Sequence, residues 1–593
     1  MKDVVMIWNR FTGRHYSNVN VNQNESGESE DIAMKTNNLR RKSSIVMNNF
    51  INTALAVHTR NKRPNRLRSI LTLMISGLSA IAIGCAIFIL DPYEFIFKMK
   101  VVFSPGGEMF DIWRKPDIDL YLKVYLFNVT NHDEYLSGEE SKLKFQETGP
   151  YVYRELLEHS DVHFNDNGTM TAYLRHPLQY VPHMSNGTED DMLILPNIAL
   201  LSITNVMRNS VYLTRLGLNL LIINTNSQPL VKMTAKEFMF GYESTIVTLG
   251  NKMMPSWIKF DKLGLIDRMY DFENDYINVY TGENDIRQAG LIEKFNGNVD
   301  LPQWTGKCAN VKGASDGSKF ANYIKPNDTI LFFRKSLCRS AIMERDGETT
   351  MNGMHVYKYK FMENILDNGA YIPENKCFCR YGYCLKSGLI DVTDCYYGFP
   401  IALSYPHFYK ADPTILDAIE GLNPNPDLHE SFLYVQPKSG IPLKFAFRFQ
   451  INMALQNIGH MSRVEKFENF VLPLLWFEIG MSKLPISMLV RFWFYLNFLP
   501  VLQSILIYLS MLAGFVLICI CVRKTIICQS PKSTLTRQWF SSEIKKKKIQ
   551  ILNNRRIRMS YKIDEMDSSL IESKNEKVPE TVLDLPSSKE DIV

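Results

Sequence analysis

The sequence predicts an α+β protein in which a large antiparallel β-barrel or sheet, carrying a helical insertion, is held between two transmembrane helices. Three observations lead there: two uncharged apolar stretches near the ends of a 593-residue chain, strict alternation of apolar and polar residues between them, and six cysteines gathered into the middle. Hydrophobic residues make up 46% of the chain and charged residues 22%, so there is enough apolar surface to offset the entropy of ordering a large core. The length excludes a small disulfide-stapled scaffold. The net charge of +5 belongs to the tails: residues 1–68 carry +7, residues 523–593 carry +5, and the middle carries −7. A nucleic-acid partner is excluded on that distribution.

Taken in order, residues 1–68 form a cytoplasmic tail, largely disordered, rich in Asn, Ser and Arg, with Arg40, Arg41, Lys42, Ser43 and Ser44 resembling a basophilic kinase site. Residues 69–90 are uncharged and, at about 1.5 Å rise per residue, cover about the 30 Å of a bilayer's hydrocarbon. Residues 501–522 are a second such run, entered through Phe492, Trp493, Phe494 and Tyr495, an aromatic belt of the kind found at membrane interfaces. Lys62, Arg63, Arg66 and Arg68 precede the first span, and Arg523 and Lys524 follow the second. Basic flanks stay cytoplasmic, so both termini are expected there and residues 91–500 outside, as an ectodomain.

Two features of the ectodomain agree with that side assignment. Asn128, Asn167, Asn186 and Asn327 each open a glycosylation sequon, although Asn24 on the cytoplasmic side does so too. Cys308, Cys338, Cys377, Cys379, Cys384 and Cys395 fall within residues 308–395, where an oxidising compartment favours disulfides over a zinc site, with the pairing left open. Cys519, Cys521 and Cys528 are juxtamembrane candidates for S-acylation, or simply small apolar residues of a helix.

Leu443, Phe445, Phe447, Phe449, Ile451 and Met453 alternate with Lys444, Ala446, Arg448, Gln450 and Asn452, a strand with one apolar face. Tyr357, Tyr359 and Phe361 repeat the pattern with Lys358 and Lys360, and residues 121–129 form a third strand. Helical periodicity is concentrated between Leu195 and Phe240, either a packing lid or a ligand-receiving cap. In the C-terminal tail, residues 523–562 hold 12 basic residues and one acidic, and Lys545–Lys548 with Arg555, Arg556 and Arg558 suit an anionic leaflet. Leu570-Ile571 follows Glu565 at a spacing one residue longer than an acidic dileucine sorting signal.

Enzyme chemistry finds little to rest on. Gly313-Ala314-Ser315-Asp316-Gly317 has the letters of a hydrolase nucleophile elbow, but a polar, glycine-rich surrounding replaces the strand and helix that an elbow needs. His355, His407 and His429 stand isolated in the sequence, and no motif indicates a metal or a cofactor. A two-span ligand-gated channel subunit shares this topology, but the second span offers only Tyr508, Ser510 and Gly514 toward an ion path.

The string Gln146-Glu147-Thr148-Gly149-Pro150-Tyr151-Val152-Tyr153-Arg154-Glu155, after Tyr121-Leu122-Lys123 and Phe127-Asn128-Val129-Thr130-Asn131, resembles the ectodomain signature of the class B scavenger receptor family. Gly241-Tyr242, Leu337-Cys338-Arg339-Ser340, Cys377-Phe378-Cys379, Pro406-His407-Phe408, Gly421-Leu422-Asn423-Pro424-Asn425 and Pro473-Leu474-Leu475-Trp476 follow in the family's order. The resemblance implies an antiparallel barrel with a helical apex at about 193–240 and a lipid-conducting tunnel from apex to membrane. It also implies the pairs Cys308–Cys377, Cys338–Cys395 and Cys379–Cys384. Where well-known members carry a lysine pair in the apex, residues 223–228 have none, which leaves Arg208, Arg215, Lys232 and Lys236 as the cations of this region and the ligand-binding candidates. Phe445, Phe447 and Phe449 are the tunnel candidates, with plain barrel core as the alternative reading.

The function expected is capture of a lipid or lipid carrier (fatty acid, sterol, carotenoid or a lipoprotein-like particle) and its passage to the membrane, without a cofactor; a homo-oligomer is left open. Uptake of apoptotic cells or microbes without lipid transfer is the second reading. The plasma membrane is the expected location, an endolysosomal membrane the alternative.

Overall fold

The structure is a computed structural model that describes residues 66–245, 247–248, 262–529 and 541–554. The expected kinase site and the dileucine lie outside the described residues, as does most of the N-terminal tail. The chain divides into two compact units, residues 1–84 with 509–593, and residues 85–508.

Two helical runs, 67–101 and 486–527, are long and apolar enough to cross a membrane. Most of their apolar side chains are exposed, which a helix buried in a protein core would not show. The first run is broken at Asp91, whose left-handed backbone (φ 41°) ends the helix Arg66–Leu90 and whose carboxylate caps Glu94 N at 3.1 Å; Pro92, lacking an amide hydrogen, opens the next helix, Pro92–Val101. Within the first unit the helices cross where Gly77 and Gly514 face each other. A Cβ on Gly514 would lie 2.8 Å from the Gly77 carbonyl oxygen and 2.5 Å from Ile81, so only glycine allows the approach.

The second unit is built on a 12-stranded sheet. Its main path runs in the order Ile330–Arg334, Arg339–Met351, Met354–Phe361, Phe432–Val435, Pro442–Ala454, Val471–Met481, Leu120–Val129, Leu143–Glu155 and Ile419–Glu420, antiparallel except for the last pairing. The three strands expected from alternation are all in it. A smaller sheet orders Ile292–Phe295, Tyr276–Tyr280, Thr169–Arg175 and Glu158–Asn165.

The two end strands of the large sheet do not pair with each other. Ile330–Arg334 is linked to the smaller sheet through residues 313–315, whereas Ile419–Glu420 pairs with Leu143–Glu155. On one side residues 313–315 bridge the two sheets: Ser315 N donates to Leu331 O and Phe333 N to Ser315 O, while Gly313 N donates to Ile292 O and Ile292 N to Ala314 O, each at 2.8 Å. On the other side, Leu178–Tyr180 pairs with the end of strand Leu143–Glu155, directly after Thr169–Arg175 has paired with Glu158–Asn165. The inner faces of both sheets are apolar and merge into one core.

The helical insertion is framed by the antiparallel pair Met192–Pro196 and Leu230–Thr234. Helix Ile198–Met207 is buried over most of its length and starts where Asn197 Oδ1 accepts from Leu200 N at 3.2 Å. Helix Tyr212–Asn224 buries only Leu218 and Ile222 and leaves Tyr212, Leu213, Leu220 and Ile223 exposed. Cys308 is bonded to Cys377, Cys338 to Cys395 and Cys379 to Cys384, with Cα separations of 6.0, 6.1 and 4.6 Å.

Candidate functional site

Between the two sheets lies an apolar cavity of about 1110 Å³, a volume that includes its open mouth. The large sheet contributes Phe332, Phe333, Phe445, Phe447 and Ile479, and the smaller sheet Leu174, Ile277, Ile292 and Phe295. Met109, Ile112 and Trp113 come from the short helix Glu108–Arg114, and Met488 from helix Ile486–Trp493. Strand alternation explains the pair Phe445 and Phe447, because residues two apart project to the same face, but not Phe332 and Phe333, which are neighbours in one strand. Phe447 stacks on Phe332 with ring centroids 4.3 Å apart and lies 5.1 Å from Phe445. Such a lining favours apolar contents over water: apolar area removed from water is worth about 25 cal/mol per Å².

One stretch of the wall is charged yet internally compensated. Glu155, whose side chain is fully buried, accepts from Arg334 Nη2 at 3.2 Å, from Tyr270 at 2.7 Å, and shares a 2.5 Å contact with His176 Nδ1. Burial alone would raise the Glu155 carboxyl, but Arg334, His176 and Tyr270 hold it down at about 2. The same burial lowers His176, whereas Tyr270 is pushed well above its ordinary value by burial and by the Glu155 charge. Asp316 pairs with buried His159 at 3.1 Å. Lys319 is buried without a carboxylate; its ammonium donates to Ala289 O, Phe320 O and Asn322 Oδ1, and burial pushes it down to about 7. Each of these charges is held by protein groups, so the cavity's chemistry is that of a lined hydrocarbon space.

The structure separates the three phenylalanines of the expected tunnel. Phe445 and Phe447 line the cavity, whereas Phe449 does not: it packs among Phe361, Tyr405 and Phe477. Two of the four cations of the insertion are engaged by neighbouring groups. Lys236 is paired with Glu189 at 2.9 Å, and Arg208 donates to the carbonyl of Asn205 at 2.6 Å. Arg215 has a buried Nε without a hydrogen-bond partner, and Lys232 is exposed.

Among the sequons, Asn167 and Asn327 are exposed, Asn186 is half-buried with Nδ2 donating to Gly149 O, and Asn128 is half-buried in a strand with Oδ1 accepting from Ile194 N at 2.9 Å. Cys519 is exposed and Cys521 buried, its sulfur 3.4 Å from Ile70 O; the side chain of Cys528 lies outside the described residues. Ser315 is committed to architecture, donating to Lys319 O at 2.6 Å and accepting from Gly317 N.

Two histidines that stand isolated in the sequence are not isolated in the fold. His407 and His429 stack with centroids 4.5 Å apart, and Glu147 Oε2 accepts from Trp476 Nε1 and contacts His407 Nε2, both at 2.6 Å. Asn423 N donates to His407 Nδ1 and Asn425 N to His429 Nδ1. The signature segments at 146–150, 406–408, 421–425 and 473–476 thus meet in one clasp, which the 260 residues between Glu147 and His407 conceal in the sequence. His355 lies near Glu348, at 3.6 Å. Sequence reasoning missed Met109, Ile112, Trp113 and Arg334. Glu155 was at hand as the last residue of the signature string.

The model of the CD36 family matches residues 73–525. Scavenger receptor class B member 1 of Sus scrofa is 31% identical over 406 residues, 68% of this chain and 78% of that protein. Protein peste of Drosophila melanogaster is 28% identical over 416 residues, 69% of this chain and 74% of its own. Lysosome membrane protein 2 of Homo sapiens is 32% identical over 384 residues, 64% of this chain and 78% of its own.

Proposed function

This chain belongs to the CD36 family, and from that premise we propose that it is a class B scavenger-receptor-like membrane glycoprotein that binds lipid or a lipid carrier and transfers lipid to the membrane through an internal passage. The observation that carries the reading is the apolar cavity between the two sheets, with Phe445 and Phe447 in its wall. The backbone bonds of residues 313–315, which join the two sheets on one side, and the continuation of Leu143–Glu155 into Glu158–Asn165 and of Thr169–Arg175 into Leu178–Tyr180 on the other, support treating the two sheets as one barrel. In this reading residues 91–500 are the ectodomain, residues 193–240 its apex, and both tails are cytoplasmic. Cargo enters near the apex, exchanges water for protein contact, and leaves into the bilayer down its gradient without energy input. The exposed apolar side of helix Tyr212–Asn224 suits the capture of an apolar particle better than the four scattered cations do. We place the protein at the plasma membrane; the name of lysosome membrane protein 2 makes an endolysosomal membrane the alternative.

Cells expressing the protein, offered labelled fatty acid, sterol and carotenoid separately, should take up at least one faster than control cells. Phe447→Trp should reduce that uptake at equal surface expression. Unchanged uptake of all three would favour a receptor for apoptotic cells or microbes that transfers no lipid.

A further inference from the structure

A second cavity, of about 400 Å³ including its open mouth, lies beside the first. Met109, Ile112 and Ile441 line both, so the two spaces are neighbours across these residues. The far walls of the smaller space are Phe97 and Val101 on one side, and Phe492 and Leu496 on the other. The first pair sits on the helix that follows the first span after Asp91, and the second on the segment that leads into helix Leu499–Gln529. Both segments expose large apolar side chains beyond the cavity, Phe95 and Met99 on one, Ile486 and Val490 on the other. Such a surface matches a hydrocarbon boundary and not water.

We propose that this smaller cavity is a second lipid subsite, a vestibule for uncharged lipid on its way to the bilayer, and that Met109, Ile112 and Ile441 form the partition that cargo displaces to reach it. The inference rests on the reading of the larger cavity as a lipid site. Met109, Ile112 and Ile441 border both spaces, and methionine and isoleucine side chains clear a path by changing rotamer without moving the backbone.

The polar side of the vestibule selects the class of cargo. Lys100 Nζ pairs with Glu108 Oε2 at 3.1 Å, Arg491 lies 3.9 Å from the other carboxylate oxygen, and the Tyr495 hydroxyl lies 3.4 Å from Glu108 Oε2. A free fatty-acid carboxylate would have to displace Glu108 from Lys100, whereas a sterol hydroxyl or an acylglycerol ester needs no such exchange.

The test is photolabelling of the full-length protein in lipid nanodiscs with a diazirine-bearing sterol, the labelled residues being mapped by mass spectrometry. In the wild type we expect label on Phe445 or Phe447 and also on Phe97 or Phe492. In Ile112→Trp the label should stay at Phe447 and vanish from Phe97 and Phe492, with sterol release to acceptor vesicles slowed about tenfold or more by the overfilled partition. Wild-type label confined to Phe445 and Phe447 would overturn the vestibule while leaving the larger cavity as a lipid site. Absence of label from both places would overturn both readings. Undiminished vestibule labelling in Ile112→Trp and also in Ile441→Trp would overturn the partition. The wild-type map decides the subsite even where a tryptophan variant fails to fold.

Discussion

Phe447 and Phe449 project from one face of the same strand, and their neighbours give them different work. Phe447 borders open space, while Phe449 is enclosed by Phe361, Tyr405 and Phe477. Phe449→Ala should therefore cost about 3–5 kcal/mol in denaturant unfolding. Phe447→Trp should cost less and instead reduce the lipid retained by purified protein. At the clasp, burial and the neighbouring His407 hold the His429 imidazole at about 4, below its ordinary 6.5. A depressed histidine favours the fold in its neutral form, so its contribution is intact above pH 6.5 and drains as pH falls toward about 4. Glu147 and Arg448 are the other charged groups acting on it, pulling in opposite directions. His429→Gln, which keeps an acceptor for Asn425 N, should flatten the pH dependence of the melting temperature in that window. An unchanged slope would assign the acid sensitivity elsewhere. Neither role is legible in the letters around these residues: alternation gives the face of a strand but not what the face meets, and the two histidines are brought together across a 3-10 helix, a short strand and a short helix, which leaves no short-range pattern.

Elements tell a more legible story where their physics is local. Both spans follow from composition, the strand Pro442–Ala454 follows from a period of two, and the helical insertion from its apolar spacing. The smaller sheet escaped notice because its strand Glu158–Asn165 is exposed over most of its length and reads as polar loop. The crossing of the two spans rests on glycine, and Gly514→Leu should push the helices apart, because any Cβ there meets the Gly77 carbonyl. Spin labels on the tail-side ends of both helices should report the longer distance in nanodiscs. The disulfides differ in the loops they close. Removing Cys338–Cys395 or Cys308–Cys377, with partners 57 and 69 residues apart, should cost about 4 kcal/mol under the chain-entropy model. Removing Cys379–Cys384, five residues apart, should cost about 2 kcal/mol by the same model. Unfolding by denaturant of the three paired alanine variants orders them.

For the molecule as a whole, the expected topology makes the sequons informative. Glycopeptide mapping should find Asn167 and Asn327 occupied and Asn128 bare, since a glycan needs a free, exposed amide and Asn128 sits half-buried in a strand with its side chain bonded to Ile194 N. Glycans on none of the four would contradict an ectodomain between the spans. Which distant segments enclose a common space is the information a single sequence holds least, and the charged belt shows why: Arg334 lies 179 residues from Glu155. The same assembly has a mechanical consequence at residues 313–315. Along one whole flank the two sheets are stitched by four backbone hydrogen bonds in a three-residue stretch, where neighbouring strands share far longer ladders. Under the proposed function, a bulky cargo straining the chamber from within would meet least resistance there, and its girth would grow by unfastening one short seam while the long ladders stay zipped.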